Sequence, residues 1–261
     1  ARQHPQVSVV QSLLKASVYE SDMRRYGALQ FAKGHWCLIV DTDELFDYPG
    51  SEDIPLASFI RYLNQQGYTG ALGHMLDLMP DPAQPRDADY EQAYRYYELD
   101  GIDKQPYEAM RVDYSNYVAS NVPGEGSELY FGGVRKTRFG IPCCLTKHPL
   151  VRLLQGVTPS VHPHWAAGVK LADVNVLLRH YKFAGDFEAR TQKNLRENTW
   201  AHGEDAAYSR AFGKGDLFAL NEHSHAYRSP RELVSAGFLQ ASERYLAWVD
   251  RATAQAPAQV V

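Results

Sequence analysis

Cysteine is scarce in this sequence, with three in 261 residues. Two of them, Cys143 and Cys144, are adjacent, which disfavours a mutual bridge. A disulfide framework is therefore not expected, and a reducing compartment suits the chain. Basic charge is also in short supply. The 27 Lys and Arg stand against 31 Asp and Glu, a formal net charge of −4, which argues against a protein that grips nucleic acid by bulk charge. No apolar run approaches the ~18 residues that a membrane helix needs, and no basic-then-apolar leader opens the chain. A cytoplasmic protein is expected, with peripheral contact to a membrane left open. Internal repeats and low-complexity blocks are missing too. What is present, 44% hydrophobic and 22% charged residues, is ordinary globular composition in a chain long enough to bury a core.

Strand and helix signals alternate in the first half, which predicts an α/β sheet. Val7 to Val10 reads as a short strand. Ser21 to Ala32 has helical spacing and ends at Lys33-Gly34. Trp36 to Val40 is a continuous apolar run of the kind buried on both faces of a sheet. Pro55 to Gln66 predicts a helix, Ala71 to Leu78 a strand, Leu129 to Val134 a strand and Val174 to His180 another. Residues 79 to 107 carry four prolines among many Asp and Tyr and read as a long loop, a feature that is usually functional. Its tyrosines, Tyr90, Tyr94, Tyr96, Tyr97 and Tyr107, suit either a lid over sugar or packing onto the sheet. Helices are predicted from about Asp186, Glu204 and Pro230, the last running on through Trp248 into an Ala/Gln tail. The expected division is a main domain over 1–229 and a C-terminal helix with a frayed tail over 230–261.

The stretch richest in chemistry is Val40-Asp41-Thr42-Asp43-Glu44-Leu45, an acidic cluster directly after an apolar strand. Ligands of open α/β sheets bind off the carboxyl ends of strands. Three carboxylates there repel one another unless a cation is shared, and hard oxygen ligands suit Mg²⁺ or Mn²⁺ together with phosphate oxygens. If the strand conformation continues, Asp41 and Asp43 point to one side and face one ligand. Two enzyme classes place Asp-x-Asp after such a strand. In haloacid-dehalogenase-type phosphatases the first Asp, here Asp41, is the nucleophile. In GT-A glycosyltransferases the aspartates hold a metal on a nucleotide-sugar diphosphate.

Several segments, in order along nearly the whole chain, resemble a bacterial branch of the family 2 glycosyltransferases. They are Gly34-His35-Trp36-Cys37-Leu38-Ile39-Val40-Asp41-Thr42-Asp43-Glu44-Leu45 with Tyr48-Pro49, then Met75-Leu76-Asp77, Gly132-Gly133-Val134-Arg135 and Thr146-Lys147-His148-Pro149-Leu150-Val151. The Leu171 to Val174 strand, the Leu177 to Phe183 segment, His225-Ala226-Tyr227 and the Leu233 to Phe238 helix complete the set. The resemblance implies a GT-A central sheet flanked by helices with a helical C-terminal part. It also implies a nucleotide-diphosphate sugar as donor, a saccharide or lipid-linked acceptor, and roles in polysaccharide biosynthesis. The family's Asn-Glu turn and Asp-Asn-Gly-Ser strand end have no counterpart here. The chain is therefore expected to lack the first strands of such a domain and to leave an open sheet edge near Val7 to Val10. A catalytically inert, carbohydrate-binding remnant of the fold is the non-enzymatic alternative.

Within this resemblance Asp43 touches the metal and Asp41 reaches ribose or metal, with Glu44 orienting either. His162, and with it His180, closes the metal shell. Lys182, Lys147 and Arg135 are candidates to neutralise diphosphate or meet the acceptor, lysine being a good point-charge partner for phosphate. Inverting transfer requires a carboxylate to take the acceptor proton. Asp77, at the end of its strand, is the first candidate for that base, with Asp81 and Glu125 as alternatives. His164, His223 and His225 read as loop histidines, and Arg24 and Arg25 as solvated helix residues.

Overall fold

In the computed structural model, which describes residues 4–85, 88–109, 118–197 and 203–255, helices and strands alternate at first. Helix α1 (Ala16–Ala32) is followed by β1 (Trp36–Leu38), β2 (Glu44–Asp47), α2 (Leu56–Gln65) and β3 (Gly70–Asp77). Next come β4 (Met79–Pro80), α3 (Tyr90–Ala93), β5 (Tyr94–Tyr97), β6 (Ile102–Pro106), β7 (Glu128–Gly132) and α4 (Val134–Phe139). Then follow β8 (Thr146–Arg152), β9 (Thr158–His162), β10 (Trp165–Ala167) and β11 (Val176–His180). Helices α5 (Phe187–Glu197) and α6 (Glu204–Ala211), strand β12 (His225–Ala226), and helices α7 (Pro230–Ser235) and α8 (Glu243–Gln255) close the described chain. This is a mixed α/β architecture. No helix among the described residues is long and apolar enough to cross a membrane.

The main sheet has five strands in the order β1-β8-β3-β11-β2. Only β3 and β11 run parallel; the other neighbours are antiparallel. All eight residues of β3 are buried, as expected of a strand paired on both edges and covered on both faces. β8 is an inner strand despite Pro149, a residue that cannot donate to a ladder. The pairing of β3 with β8 shifts register between Ala71 and Gly73, beside that proline. A Cβ at Gly73 would lie 2.7 Å from Pro149 Cγ, so glycine is what lets the ring sit against β3.

Helices α2 and α8 cover part of the sheet through Phe59, Tyr62, Leu63, Tyr245 and Val249, which share a core with Ala71, Leu150, Val174 and Val176. In α2 the buried side chains recur at Phe59, Tyr62 and Leu63, one stripe of a helix that Gly67 ends at φ 68°. Phe59 stacks on Tyr48 at 4.5 Å and meets Tyr245 edge-on at 5.8 Å. Burying each such ring contributes about 1.5–3 kcal/mol. A second aromatic cluster, Phe139, Phe183, Phe187 and Tyr208, joins α4, α5 and α6 beyond the end of β11.

Several expectations are corrected by these coordinates. Val7 to Val10 is exposed chain outside the sheet, not a strand. Among the described residues the sheet ends at β1 on one side, paired there with β8, and at β2 on the other. β1 stops at Leu38 instead of Val40, and Leu38 and Val40 are exposed, because an edge strand lacks the second neighbour that would bury it. The 79–107 stretch is not a plain loop. It contains β4, α3, β5 and β6, and Tyr94, Tyr97 and Tyr107 are buried in the core, while Tyr90 is exposed. The single helix expected from Pro230 is two, separated at Gly237 with its φ of 72°. Both are built into the same cores as the rest, through Leu233 and Phe238 on one side and Tyr245 and Val249 on the other. The Ala/Gln tail beyond 255 lies outside the described residues.

Candidate functional site

Strand register assembles the site. His180 closes β11 opposite Asp77 at the end of β3 and opposite Glu44 at the start of β2. Cross-strand partners share a face, so Glu44, His180 and Asp77 stand side by side across three strands. Lys147 comes to the same face from β8, opposite Gly73.

The strand conformation does not continue through the acidic cluster. Asp41 to Glu44 is a turn closed by the Glu44 N–H donating to the Asp41 carbonyl at 3.1 Å. The two aspartates therefore part company instead of facing one ligand from one strand side. Asp41 turns to Lys147, 2.5 Å away, and to Arg24 of α1. Asp43 turns to His180, with Oδ2 3.5 Å from Nε2. Glu44 is buried and accepts both the Asp41 N–H at 2.9 Å and the Lys147 ammonium at 2.5 Å. It thus fixes the turn and shares the lysine.

Behind Asp43 runs a chain of buried groups. His180 Nδ1 lies 2.5 Å from Asp77 Oδ1, and Arg135 Nε donates to Asp77 Oδ2 at 2.9 Å. A carboxylate can only accept, so Nδ1 carries the proton and Nε2 is the histidine atom turned toward Asp43. The Asp77, Arg135 and His180 side chains are 2%, 5% and 6% exposed, whereas Asp43 is 36% exposed. The surface end of this chain is therefore Asp43. Arg135 reaches its place because Gly132-Gly133, at φ 88° and 60°, turns β7 directly into α4. Its terminal Nη2 is buried with no hydrogen-bond partner among the described residues, and Nη1 is 3.9 Å from Glu204.

These contacts set the charges. Burial pushes the Asp41 carboxyl up, but Lys147 and Arg24 outweigh it and hold it down to about 2. Burial likewise opposes ionisation of Asp43 and Asp77. His180, with Lys182 behind it, holds Asp43 low, and Arg135 together with His180 holds Asp77 low. Burial disfavours the His180 cation, but its bonds to Asp43 and Asp77 win and raise it. His164 is held neutral by burial and by the neighbouring Lys147 and His162.

Neither a family model, nor a curated protein, nor a solved structure matches the chain. The site therefore stands on its own geometry.

That geometry gathers Asp41, Asp43, Asp77, Arg135, Lys147 and His180 into one region and gives several of them unforeseen surroundings. Lys147 and Arg135, expected to face a ligand, are buried against carboxylates, because an unpaired carboxylate at those depths is more costly than the loss of an exposed cation. Asp77 has both oxygens engaged by His180 and Arg135. Lys182 keeps a half-buried ammonium 4.0 Å from Glu204 and close enough to lower Asp43. His162 ends β9, where its Nδ1 accepts the His164 N–H at 3.2 Å. His164 is not a plain surface-turn residue: its ring sits 3.1 Å from the Thr146 carbonyl, beside Lys147. Arg24, read as solvated, is bound to Asp41. No local pattern announces that pair, since 17 residues separate its members. Asp81 is buried against Arg95 at 3.2 Å, and Glu125 is exposed.

Among the described residues no three His, Cys, Asp or Glu side chains form a ready metal cage. The Asp43–His180 pair does fit two ligands of one cation. Ligands about 2.1 Å from a shared metal stand roughly 3.0–3.4 Å apart, close to the 3.5 Å between Asp43 Oδ2 and His180 Nε2. Metal-binding histidines usually donate their other ring N–H to a carboxylate, which fixes the tautomer; Asp77 does this for His180. Mg²⁺ and Mn²⁺ are commonly held by few protein groups, with water and substrate phosphate completing the shell.

Proposed function

We propose that this protein is a metal-dependent glycosyltransferase of GT-A type. It moves a sugar from a nucleotide-diphosphate donor to a saccharide or lipid-linked acceptor. One observation carries the reading: a partly exposed Asp43 lies 3.5 Å from Nε2 of a buried histidine whose other nitrogen is fixed by a buried Asp77–Arg135 pair. The pair sits at the carboxyl ends of the two parallel strands, where α/β sheets bind ligands.

In this reading Asp43 and His180 hold Mn²⁺ or Mg²⁺. When bound, the cation offsets charge on the departing diphosphate, the electrostatic and Lewis-acid contribution of such ions. The chain's own residues then have separable tasks. Asp77 and Arg135 fix a proton on Nδ1 of His180 and aim Nε2 at Asp43, where it would lose its own proton to a bound cation. This assigns Asp77 to positioning, since neither of its oxygens is available to an acceptor hydroxyl. Lys182, next to Asp43, supplies positive charge for diphosphate. Lys147 and Arg24 neutralise Asp41, and Glu44 holds the turn that presents Asp43.

The test is to incubate the full-length protein with a panel of nucleotide-diphosphate sugars and Mn²⁺ or Mg²⁺, following release of the nucleoside diphosphate. Metal-dependent release from at least one donor is expected, falling about a hundredfold in Asp43→Asn and in His180→Ala, the scale on which losing one group that stabilises transition-state charge acts. If Asp43→Asn turns over the donor as well as the parent, the proposal fails.

A further inference from the structure

Arg179 and His180 are consecutive in β11 and project to opposite faces of the sheet. His180 serves the site above. Arg179, with Asp47 of the neighbouring β2, faces the other side, where a separate cleft of about 370 Å³ opens. The volume falls in the range of small-molecule sites, roughly 300–1,000 Å³. Its walls balance charge: Arg95, Arg179 and Arg228 against Asp47, Glu52 and Glu91. Tyr227 adds a half-buried ring with the Arg179 guanidinium over it, and the buried Tyr94 and Tyr181 back the wall.

The polar groups are only partly committed to one another. Arg179 donates to Glu91 at 2.6 Å and reaches the Tyr181 hydroxyl at 3.5 Å, while Tyr227 donates to Asp47 at 3.0 Å. Among the described residues the buried Nε of Arg179 has no hydrogen-bond partner and lies 3.6 Å from Asp47. A buried donor left unpaired is costly, so the cleft's own carboxylates do not fully satisfy Arg179.

The mixture of charges selects the ligand. An anion entering the cleft meets three carboxylates, and a cation meets three guanidinium groups. A neutral polyhydroxyl ligand suffers neither repulsion. Each of its hydroxyls both donates and accepts, matching a wall that mixes acceptors and forked donors, and a C–H face can pack on the Tyr227 ring. We propose that this cleft is a binding site for a neutral saccharide. The proposal goes beyond the transfer reading and does not depend on Asp43, which lies across the sheet.

The experiment is ligand-observed NMR on the full-length protein with glucose, galactose, N-acetylglucosamine, cellobiose, lactose and chitobiose. Inorganic phosphate and glucuronate serve as charged counterparts. At least one neutral sugar is expected to bind more tightly than either anion. Glu91→Gln and Arg228→Ala, both at exposed positions, should each weaken it about tenfold, the worth of one charge-assisted hydrogen bond. Asp43→Asn should leave the affinity unchanged while lowering donor turnover about a hundredfold, so failure here and failure of the transfer reading separate. The proposal is overturned if no neutral sugar binds up to about 10 mM, a weak limit for a specific site. It is equally overturned if an anion binds more tightly, if both cleft variants bind as the parent does, or if Asp43→Asn removes the binding.

Discussion

Lys147→Met perturbs the site in the most calculable way. The ammonium lies 2.5 Å from both Asp41 and Glu44, and the Lys147 and Glu44 side chains are 5% and 0% exposed. Methionine keeps most of the stem volume, so packing loss is small. What remains is a buried carboxylate at Glu44 with no cation, next to a second carboxylate. Removing one partner of a buried ion pair typically costs about 3–5 kcal/mol. Arg24 still holds Asp41, which argues for the lower half of that range, about 3 kcal/mol. For a chain of this length 1 kcal/mol moves the midpoint by roughly 2–4 °C, so the variant should melt about 6–12 °C below the parent. The assay is thermal unfolding by circular dichroism at neutral pH with a chelator present, so that no metal replaces the ammonium. The double variant Lys147→Met with Glu44→Gln should recover at least a third of the loss, since a neutral amide carries no buried charge. A single variant within about 2 °C of the parent would show that Lys147 does not offset a costly buried charge. So would a double variant no better than the single one, which would trace the loss to packing.

Three further outcomes follow from other parts of the fold. Asp173 accepts from Tyr62 at 2.9 Å and Arg244 at 2.8 Å, and also from Ser242, which caps α8 through the Tyr245 N–H at 3.0 Å. Burial opposes its charge, but these donors win and hold its carboxyl below the usual range. Its stabilisation is therefore complete above the unfolded value, about 3.9, and is lost as pH falls through the lower folded value. Asp173→Asn should cost about 2 kcal/mol at pH 7, and urea titrations should show the gap to the parent closing as the pH drops below about 4. Gly73→Ala puts a methyl 2.7 Å from Pro149 Cγ and 3.1 Å from Val176 Cγ2. Overpacking of this kind costs about 1–3 kcal/mol, measurable as a lower denaturant midpoint; an unchanged midpoint would show that the strands yield freely. Phe59→Ala removes a fully buried ring between Tyr48 and Tyr245 and should lose about 3–5 kcal/mol in the same measurement.

The elements legible in the sequence are those whose periodicity or length speaks without help from distant neighbours. The α2 helix with its glycine stop is one: its stripe reads as Leu56, Phe59, Ile60 and Leu63, of which Phe59 and Leu63 are buried, with Tyr62 in place of the other two. The apolar runs that became β3 and β11 are others. β8 was not legible as a strand because Thr146, Lys147, His148 and Pro149 carry polar and proline signals of a loop. Their burial is compensated by Glu44, Tyr107 and Gly73, all remote in sequence. The split between Asp41 and Asp43 was hidden for a similar reason. Alternation along a strand predicts one shared side, but Glu44 closes a turn at that point and sends the two carboxylates to different cations. His180 and Asp77 each stood out as strand-end residues, yet their 2.5 Å contact across 103 positions is a product of parallel register. Arg135 beneath Asp77 depends on how Gly132-Gly133 swings α4, which no local pattern encodes.

On the proposed function Asp43 and His180 together hold a divalent cation that meets phosphate. The direct measurement is Mn²⁺ titration of the full-length protein, following the electron paramagnetic resonance signal of the free ion, with and without a nucleoside diphosphate. Parent protein should bind Mn²⁺ more tightly when the diphosphate is present. Asp43→Ala and His180→Ala should each weaken binding at least about tenfold, and Asp77→Asn, which loosens the histidine without removing a ligand, by a smaller factor. Mn²⁺ binding that is identical in the parent, Asp43→Ala and His180→Ala proteins would contradict the claim.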